Sequence, residues 1–351
     1  MYMISSQFNF AIVGTGAIAG IHATAIAAIE HANLIGVYNR SENKAKAFAA
    51  QYNCAAYHSL DELLQVKNLD IVCICTPSGA HLEPALKVIE AGKHCLIEKP
   101  IEVTLEKTDK LINAAKTKGV ILAVVYPTRF YDVSKAVKKA IEANRFGNMV
   151  LGSAYVKWSR TEAYYASAEW RGTWELDGGG ALMNQAIHSI DMLQWCMGPV
   201  ESVQAFTANT RHKNIEVEDS AVAVLKFSSG ALGTIECTTA AYPGVLKRLE
   251  IMGTTGTVTL EDNDVAKWHF ESEADEDKYI REQFSPNGSA KGGASDPLSI
   301  SYLGHQRQME DMIHAIKSGS KPLIDGEEAR KSVKIVLAIY ESARTGKLIT
   351  L

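Results

Sequence analysis

The sequence predicts an α/β protein: a doubly wound parallel sheet, then an α+β domain built on a largely antiparallel sheet. Three observations carry this. Over the first 125 residues, short apolar runs alternate with helical segments. Strands that apolar are buried on both faces, which requires helices on either side of a parallel sheet. The first strand runs into Gly14-x-Gly16-x-x-Ala19, and another helix follows. After Tyr126-Pro127 the texture changes to alternating runs with short turns, the pattern of an antiparallel sheet.

Strands are expected at 8–13, 33–38, 54–57, 70–75, 94–97 and 120–125, and helices at about 17–30, 42–51, 60–66, 79–91 and 104–118. Ser59-x-x-Glu62 reads as a capping box opening the third helix. The second part opens with helices at about 131–144 and 180–196. Its strands are expected at 149–158, 200–209, 219–227, 231–239, 247–252 and 256–260. Ala221 to Phe227 alternates, and Ser228-Ser229-Gly230 is a turn. Residues 271–299 are polar and rich in Gly and Ser, which predicts a loop, and helices at about 304–318 and 327–344 close the chain. The domains are accordingly expected at 1–126 and 127–351, with the closing helices able to pack back on the first.

The 351 residues suffice for two domains, and the formal charge of −4 gives no support for nucleic-acid or membrane-surface binding. No apolar run reaches the ~18 residues of a membrane span. Met1 to Asn9 lacks a basic region followed by an apolar stretch, so no signal peptide is expected. The six cysteines are scattered without a Cys-x-x-Cys pair. They read as buried hydrophobes in a reducing cytoplasm.

The glycine turn sits between a strand and a helix, the context of a dinucleotide site of Rossmann type. Gly14 permits the tight turn, Gly16 lets a pyrophosphate approach the backbone, and Ala19 allows close helix–strand packing. Glu98-Lys99-Pro100 follows the strand Cys95-Leu96-Ile97 and so stands at the carboxyl edge of the sheet. A lysine there can bind or deprotonate a hydroxyl. Taken alone, the motif reads first as a surface loop with a charge pair. Asn184, His188, Asp191 and Trp195 recur at helical spacing after Gly178-Gly179-Gly180. This stripe carries groups suited to alcohols, although without Lys99 His188 reads first as a hydrogen-bonded core histidine.

Together these residues resemble the Gfo/Idh/MocA family, the glucose–fructose oxidoreductase, inositol dehydrogenase and rhizopine-catabolism group of NAD(P)-dependent sugar dehydrogenases. The resemblance rests on the Gly14 to Ala19 loop, Thr76-Pro77-Ser78-x-x-His81, Gly92-Lys93-His94, Glu98-Lys99-Pro100, Arg129-Phe130, the triple glycine with His188 and Asp191, and the His305 segment. It implies a Rossmann domain and an open-faced C-terminal sheet that joins copies into a dimer or tetramer. It implies that Lys99 and His188 flank the substrate carbon, and that the bond before Pro100 is cis. It assigns Gly14, Gly16, Ala17, Ile18, Asn39, Arg40, Ser41, Thr76, Pro77, His81, Glu98, Lys99 and Arg129 to the cofactor. Many members carry Asp four residues before the histidine, where this chain has Asn184. An amide orients a hydroxyl but moves no proton, so the base is His188 or Lys99. Subgroups acting on nucleotide-sugar uronates and anhydrosugars share Asn-x-x-x-His.

Strand two ends in Tyr38-Asn39-Arg40-Ser41 without the acid that binds the ribose diol of NAD. Arg40 and Ser41 favour the 2′-phosphate of NADP. Alternatively Arg40 stacks on adenine and Asn39 holds the ribose of NAD. Substrate contacts are expected from Asn184, Asp191 and the cluster Trp158, Arg160, Tyr164, Tyr165, Trp170, Arg171 and Trp174, with Tyr242-Pro243-Gly244 nearby. No metal set is expected; His305 and His314 read as structural. The chain is thus expected to be a cytoplasmic NAD(P)-dependent dehydrogenase of a sugar or cyclitol alcohol. Two alternatives stand beside it: a redox-neutral oxidation–elimination enzyme and a non-enzymatic cofactor-binding regulator.

Overall fold

A computed structural model describes residues 7–286 and 301–351. The chain divides into two compact units, Met1–Pro127 with Ser301–Arg330, and Thr128–Ile300 with Lys331–Leu351.

The first unit alternates β1 (Phe8–Val13), α1 (Ala17–Ala27), β2 (Ala32–Tyr38), α2 (Glu42–Tyr52), β3 (Ala55–Tyr57), α3 (Leu60–Leu64), β4 (Ile71–Ile74), α4 (Leu82–Glu90), β5 (His94–Ile97), α5 (Leu105–Lys118) and β6 (Leu122–Val124). All six strands are parallel in the order β3-β2-β1-β4-β5-β6. The order reverses beside β1, so the ligand crevice opens at the carboxyl ends of β1 and β4. Phe10, Ile12, Ile71, Cys73 and Leu96 are buried in the sheet, and Ala19, Ala23 and Ile26 of α1 close down on them. The small residues of α1 permit that close approach.

The second unit contains α6 (Asp132–Glu142), β7 (Met149–Lys157), α7 (Glu162–Ala166), a π-helical turn (Ala181–Ala186) running into α8 (Ile187–Met197), β8 (Val200–Ala208), β9 (Ser220–Phe227), β10 (Leu232–Thr238), β11 (Arg248–Gly253), β12 (Gly256–Glu261), β13 (Asp264–Phe270) and α9 (Asp275–Gln283). The chain ends with α10 (Leu303–Ser318), α11 (Gly326–Thr345) and β14 (Ile349–Thr350). Helix α10 belongs to the first unit, where Met309, Met312 and Ile313 join the core beside α1. The second sheet has the order β13-β12-β11-β7-β10-β9-β8-β14. It is mixed: β7 and β10 are parallel, and its other pairs are antiparallel. Ala221, Ala223, Leu225 and Phe227 of β9 point inward, while Val222 and Val224 stay exposed. That alternation leaves one face open.

Three local expectations are corrected. The loop expected over 271–299 contains α9, whose Asp277 accepts from Trp268 Nε1 at 2.6 Å and pairs with Arg145. Its charged sequence shows little apolar periodicity, because buried ion pairing rather than an apolar stripe holds it. The rest of that segment, from residue 287, lies outside the described residues. The helix expected at 180–196 begins as the π turn, so Asn184 and His188 do not share one α-helical register. The capping box is half formed: Ser59 accepts from Glu62 N at 3.1 Å, but the Glu62 carboxylate reaches His58 N instead.

Candidate active site

The glycine turn is built as expected. Gly14 has φ +99°, and a Cβ there would lie 2.5 Å from the carbonyl oxygen of Cys75. Gly16 faces open space and caps α1 without a side chain, and no acid occupies the first helical turn. Ala17 is exposed and Ile18 partly so. A helix N-terminus with open donors and no local anion fits a pyrophosphate. The Asn39 amide donates to Thr15 Oγ1 and its oxygen accepts from Ser41 N, both at 2.8 Å, tying the end of β2 to the turn. Arg40 and Ser41 are exposed there.

Thr76 and Pro77 follow β4. Behind them His81 is buried, with its ring nitrogens 3.0 Å from the Thr76 oxygen and 2.9 Å from the Pro100 oxygen. It joins the loop after β4 to the loop after β5. The Lys99–Pro100 bond is cis. Lys99 is partly exposed at the end of β5, and its N–H donates to Glu98 Oε2 at 3.2 Å. Glu98 is buried beside two histidines. His22 Nε2 stands 2.7 Å from Glu98 Oε1, and His305 Nε2 stands 3.8 Å from it. Burial alone would raise the Glu98 carboxyl. The His22 hydrogen bond, with the charges of His22, His305 and Lys99, instead brings it down to about 2. Burial, then the His22 charge, lowers His305 to about 4. The three groups are close enough to hold an ion. The 2.7 Å contact, however, is a donor–acceptor separation.

In the second unit, His188 is the second residue of α8 and partly exposed. Asn184 Nδ2 donates to Asp177 Oδ1, and Asn184 Oδ1 accepts from Gln185 Nε2 at 2.9 Å. Buried Arg160 donates to Gln185 Oε1 at 2.9 Å. The Tyr164 hydroxyl accepts from Gln185 at 2.9 Å and from Arg171 at 2.5 Å. Arg160 also lies 4.9 Å from the Trp158 ring, and Arg171 lies 4.7 Å from the Trp170 ring. Arg160, Tyr164 and Arg171 thus converge with Asn184. Tyr165 turns into the core and bonds Thr239 at 2.8 Å, and Trp174 is exposed against Tyr340.

Arg129 and Asp191 find each other. The guanidinium grips the carboxylate at 2.7 and 2.6 Å, both side chains 1% exposed, with the Trp195 ring 5.1 Å from the guanidinium carbon.

Gln185, Glu218 and His22 do not stand out in the sequence. Buried Glu218 accepts from Gly180 N at 3.0 Å, Leu182 N at 2.8 Å and Tyr340 Oη at 3.0 Å, clamping the start of the π turn. Burial pushes its carboxyl up to about 7 against those three donors. The available signal was a polar residue inside an apolar run, as with Gln185 and His22.

The comparisons match this architecture. Residues 8–126 match a model described as an oxidoreductase family with NAD-binding Rossmann fold, and residues 134–259 match the GFO/IDH/MocA C-terminal domain. The WlbA dehydrogenase of Bordetella pertussis, solved with NADH and UDP-GlcNAcA, is 35% identical, with 100% of this chain and 99% of that one covered, at a TM-score of 0.90. The chain belongs to the Gfo/Idh/MocA family of oxidoreductases. Myo-inositol 2-dehydrogenase of Thermotoga maritima is 27% identical over 97% of each chain. D-glucoside 3-dehydrogenase of Escherichia coli is 25% identical over 99% of each. Its relatives include sugar and cyclitol dehydrogenases, and this chain is an oxidoreductase with their NAD-binding fold. Among the described residues, no helix is long and apolar enough to cross a membrane.

Proposed function

We propose that this chain oxidises a secondary alcohol of a sugar that bears an anionic group, of the nucleotide-sugar uronate kind. A bound nicotinamide dinucleotide supplies the hydride acceptor. Lys99 and His188 bind the hydroxyl and take its proton. Asn184 orients the substrate, and Arg160, Tyr164 and Arg171 recognise its polar groups. Trp158 and Trp170 flank these arginines and offer faces for a sugar ring.

The observation that carries the substrate class is Arg171. It is partly exposed, donates to Tyr164 and stands with Arg160 at the Gln185 and Asn184 group. Two guanidinium groups at one site support an anionic ligand group, because their paired donors match carboxylate or phosphate. The WlbA relatives with UDP-GlcNAcA, at 35% and 34% identity, support the same class.

For the cofactor, exposed Arg40 and Ser41 with no acid at the end of β2 support NADP. The complexes of WlbA hold NADH, so the NADP preference rests on those two residues alone. We also propose that the open sheet face joins copies of this chain: Phe206 and Val222 are register partners there and are 77% and 52% exposed. Light scattering tests that. The scatter of buried thiols supports a reducing compartment, the cytoplasm.

The deciding experiment offers UDP-GlcNAcA, neutral sugars and cyclitols with NAD⁺ and NADP⁺ and follows NAD(P)H absorbance. Reduced cofactor should accumulate with the anionic sugar. Turnover confined to neutral sugars would remove the substrate class. Product formation without net cofactor reduction would turn the reaction into the redox-neutral one.

A further inference from the structure

Asp177 has no part in the reading above, yet it terminates the hydrogen-bond row that holds Asn184. It is buried, and its oxygens are divided: Oδ2 accepts from Gly172 N at 2.8 Å, and Oδ1 accepts from Asn184 Nδ2. Asn184 Oδ1 accepts from Gln185 Nε2, and Gln185 Oε1 accepts from Arg160, each at 2.9 Å. The row therefore begins at a group that only accepts when ionised and ends at one that only donates. Between such ends, two amides satisfy these bonds in a single orientation. Turning either amide sets donor against donor or oxygen against oxygen.

We propose that Asp177 is a positioning residue: its carboxylate fixes which way Asn184 and Gln185 face, and so fixes the polar atoms that Asn184 offers the substrate. This rests on the reading that Asn184 binds substrate. The row itself does not depend on which sugar is bound.

The inference predicts a charge swap. In Asp177→Asn the new amide donates towards Asn184, which must turn, then Gln185 must turn, and its NH₂ meets the Arg160 N–H. In Asn184→Asp two carboxyl groups face each other and must share a proton. In the double variant the new amide keeps Gly172 N on its oxygen and donates to the new carboxylate. That carboxylate accepts from Gln185, and the row is restored.

The test measures kcat and KM for the wild type, both single variants and the double variant. Each single change should raise KM about 10- to 100-fold with a smaller effect on kcat, the scale of one misplaced charge-assisted bond. The double variant should return KM to within a few-fold of wild type. Asn184→Asp alone should gain a falling limb in kcat/KM near neutral pH, which the double variant lacks. Asp177→Asn with wild-type KM, or a folded double variant no better than the singles, would overturn the inference. Melting temperatures of the four proteins without substrate separate the two readings. Recovery of stability in the double variant supports the row even if no sugar in the panel turns over, in which case only the substrate reading falls.

Discussion

Replacing Asp191 with leucine should destabilise the second unit severely, and the structure sets the size. The carboxylate receives two guanidinium N–H bonds from Arg129, at 2.7 and 2.6 Å, and both side chains are 1% exposed. Asp191→Leu leaves the Arg129 charge in a site built for a pair. Removing one partner of a buried ion pair costs about 3–5 kcal/mol, most of it the desolvation of the survivor. Two charge-assisted bonds at roughly 1.5–3 kcal/mol each give the same scale. For a unit of this size that corresponds to a fall in Tm of about 6–20 °C. Arg129→Met/Asp191→Leu should recover a large part, because a buried pair exchanged for apolar groups of similar volume is often neutral. Thermal and urea unfolding of the two single variants and the double variant measure the coupling. If Asp191→Leu melts within about 1 °C of wild type while substrate KM rises sharply, the carboxylate is spent on substrate. The structural account of the pair is then wrong.

Lys99→Met should lower kcat by about 10²–10⁴-fold while cofactor affinity, read by fluorescence titration, changes little. His188→Ala should lower kcat on the same scale; near wild-type turnover in either variant removes that residue from proton transfer. Arg40→Asp should shift the ratio of Kd values from NADP⁺ towards NAD⁺, since a carboxylate repels the 2′-phosphate. A wild type that already prefers NAD⁺ refutes the premise. His305, buried, titrates at about 4 against an ordinary 6.5, so the unfolded chain takes up the proton first as pH falls. Its contribution is full above 6.5 and drains away towards 4, worth up to roughly 3 kcal/mol. His305→Gln should flatten the stability–pH curve in that window, and an unchanged slope there would contradict the buried, neutral imidazole.

What was legible in the sequence depended on which force fixes each element. The parallel sheet was legible because hydrophobic burial decides it: Ile71 to Ile74 is apolar at every position and buried at every position. Gly14 was legible because φ +99° beneath the Cys75 carbonyl leaves no room for a side chain. Helix α9 escaped notice because Asp277 and Arg145 hold it, and a specific ion pair between distant segments has no period. The stripe of Asn184, His188, Asp191 and Trp195 assumes 3.6 residues per turn, but the π turn at Ala181–Ala186 wraps more residues per turn and shifts the register. Glu218 shows why: it takes the Gly180 and Leu182 N–H groups from 38 and 36 residues away in sequence, a tertiary clamp that local propensity does not register. The same distinction explains Asp191. Spacing placed it on a face with His188, but spacing does not say whether a carboxylate meets solvent, substrate or an arginine 62 residues earlier. For polar residues, position along the helix was readable and the partner was not. In this chain the partner decides the role.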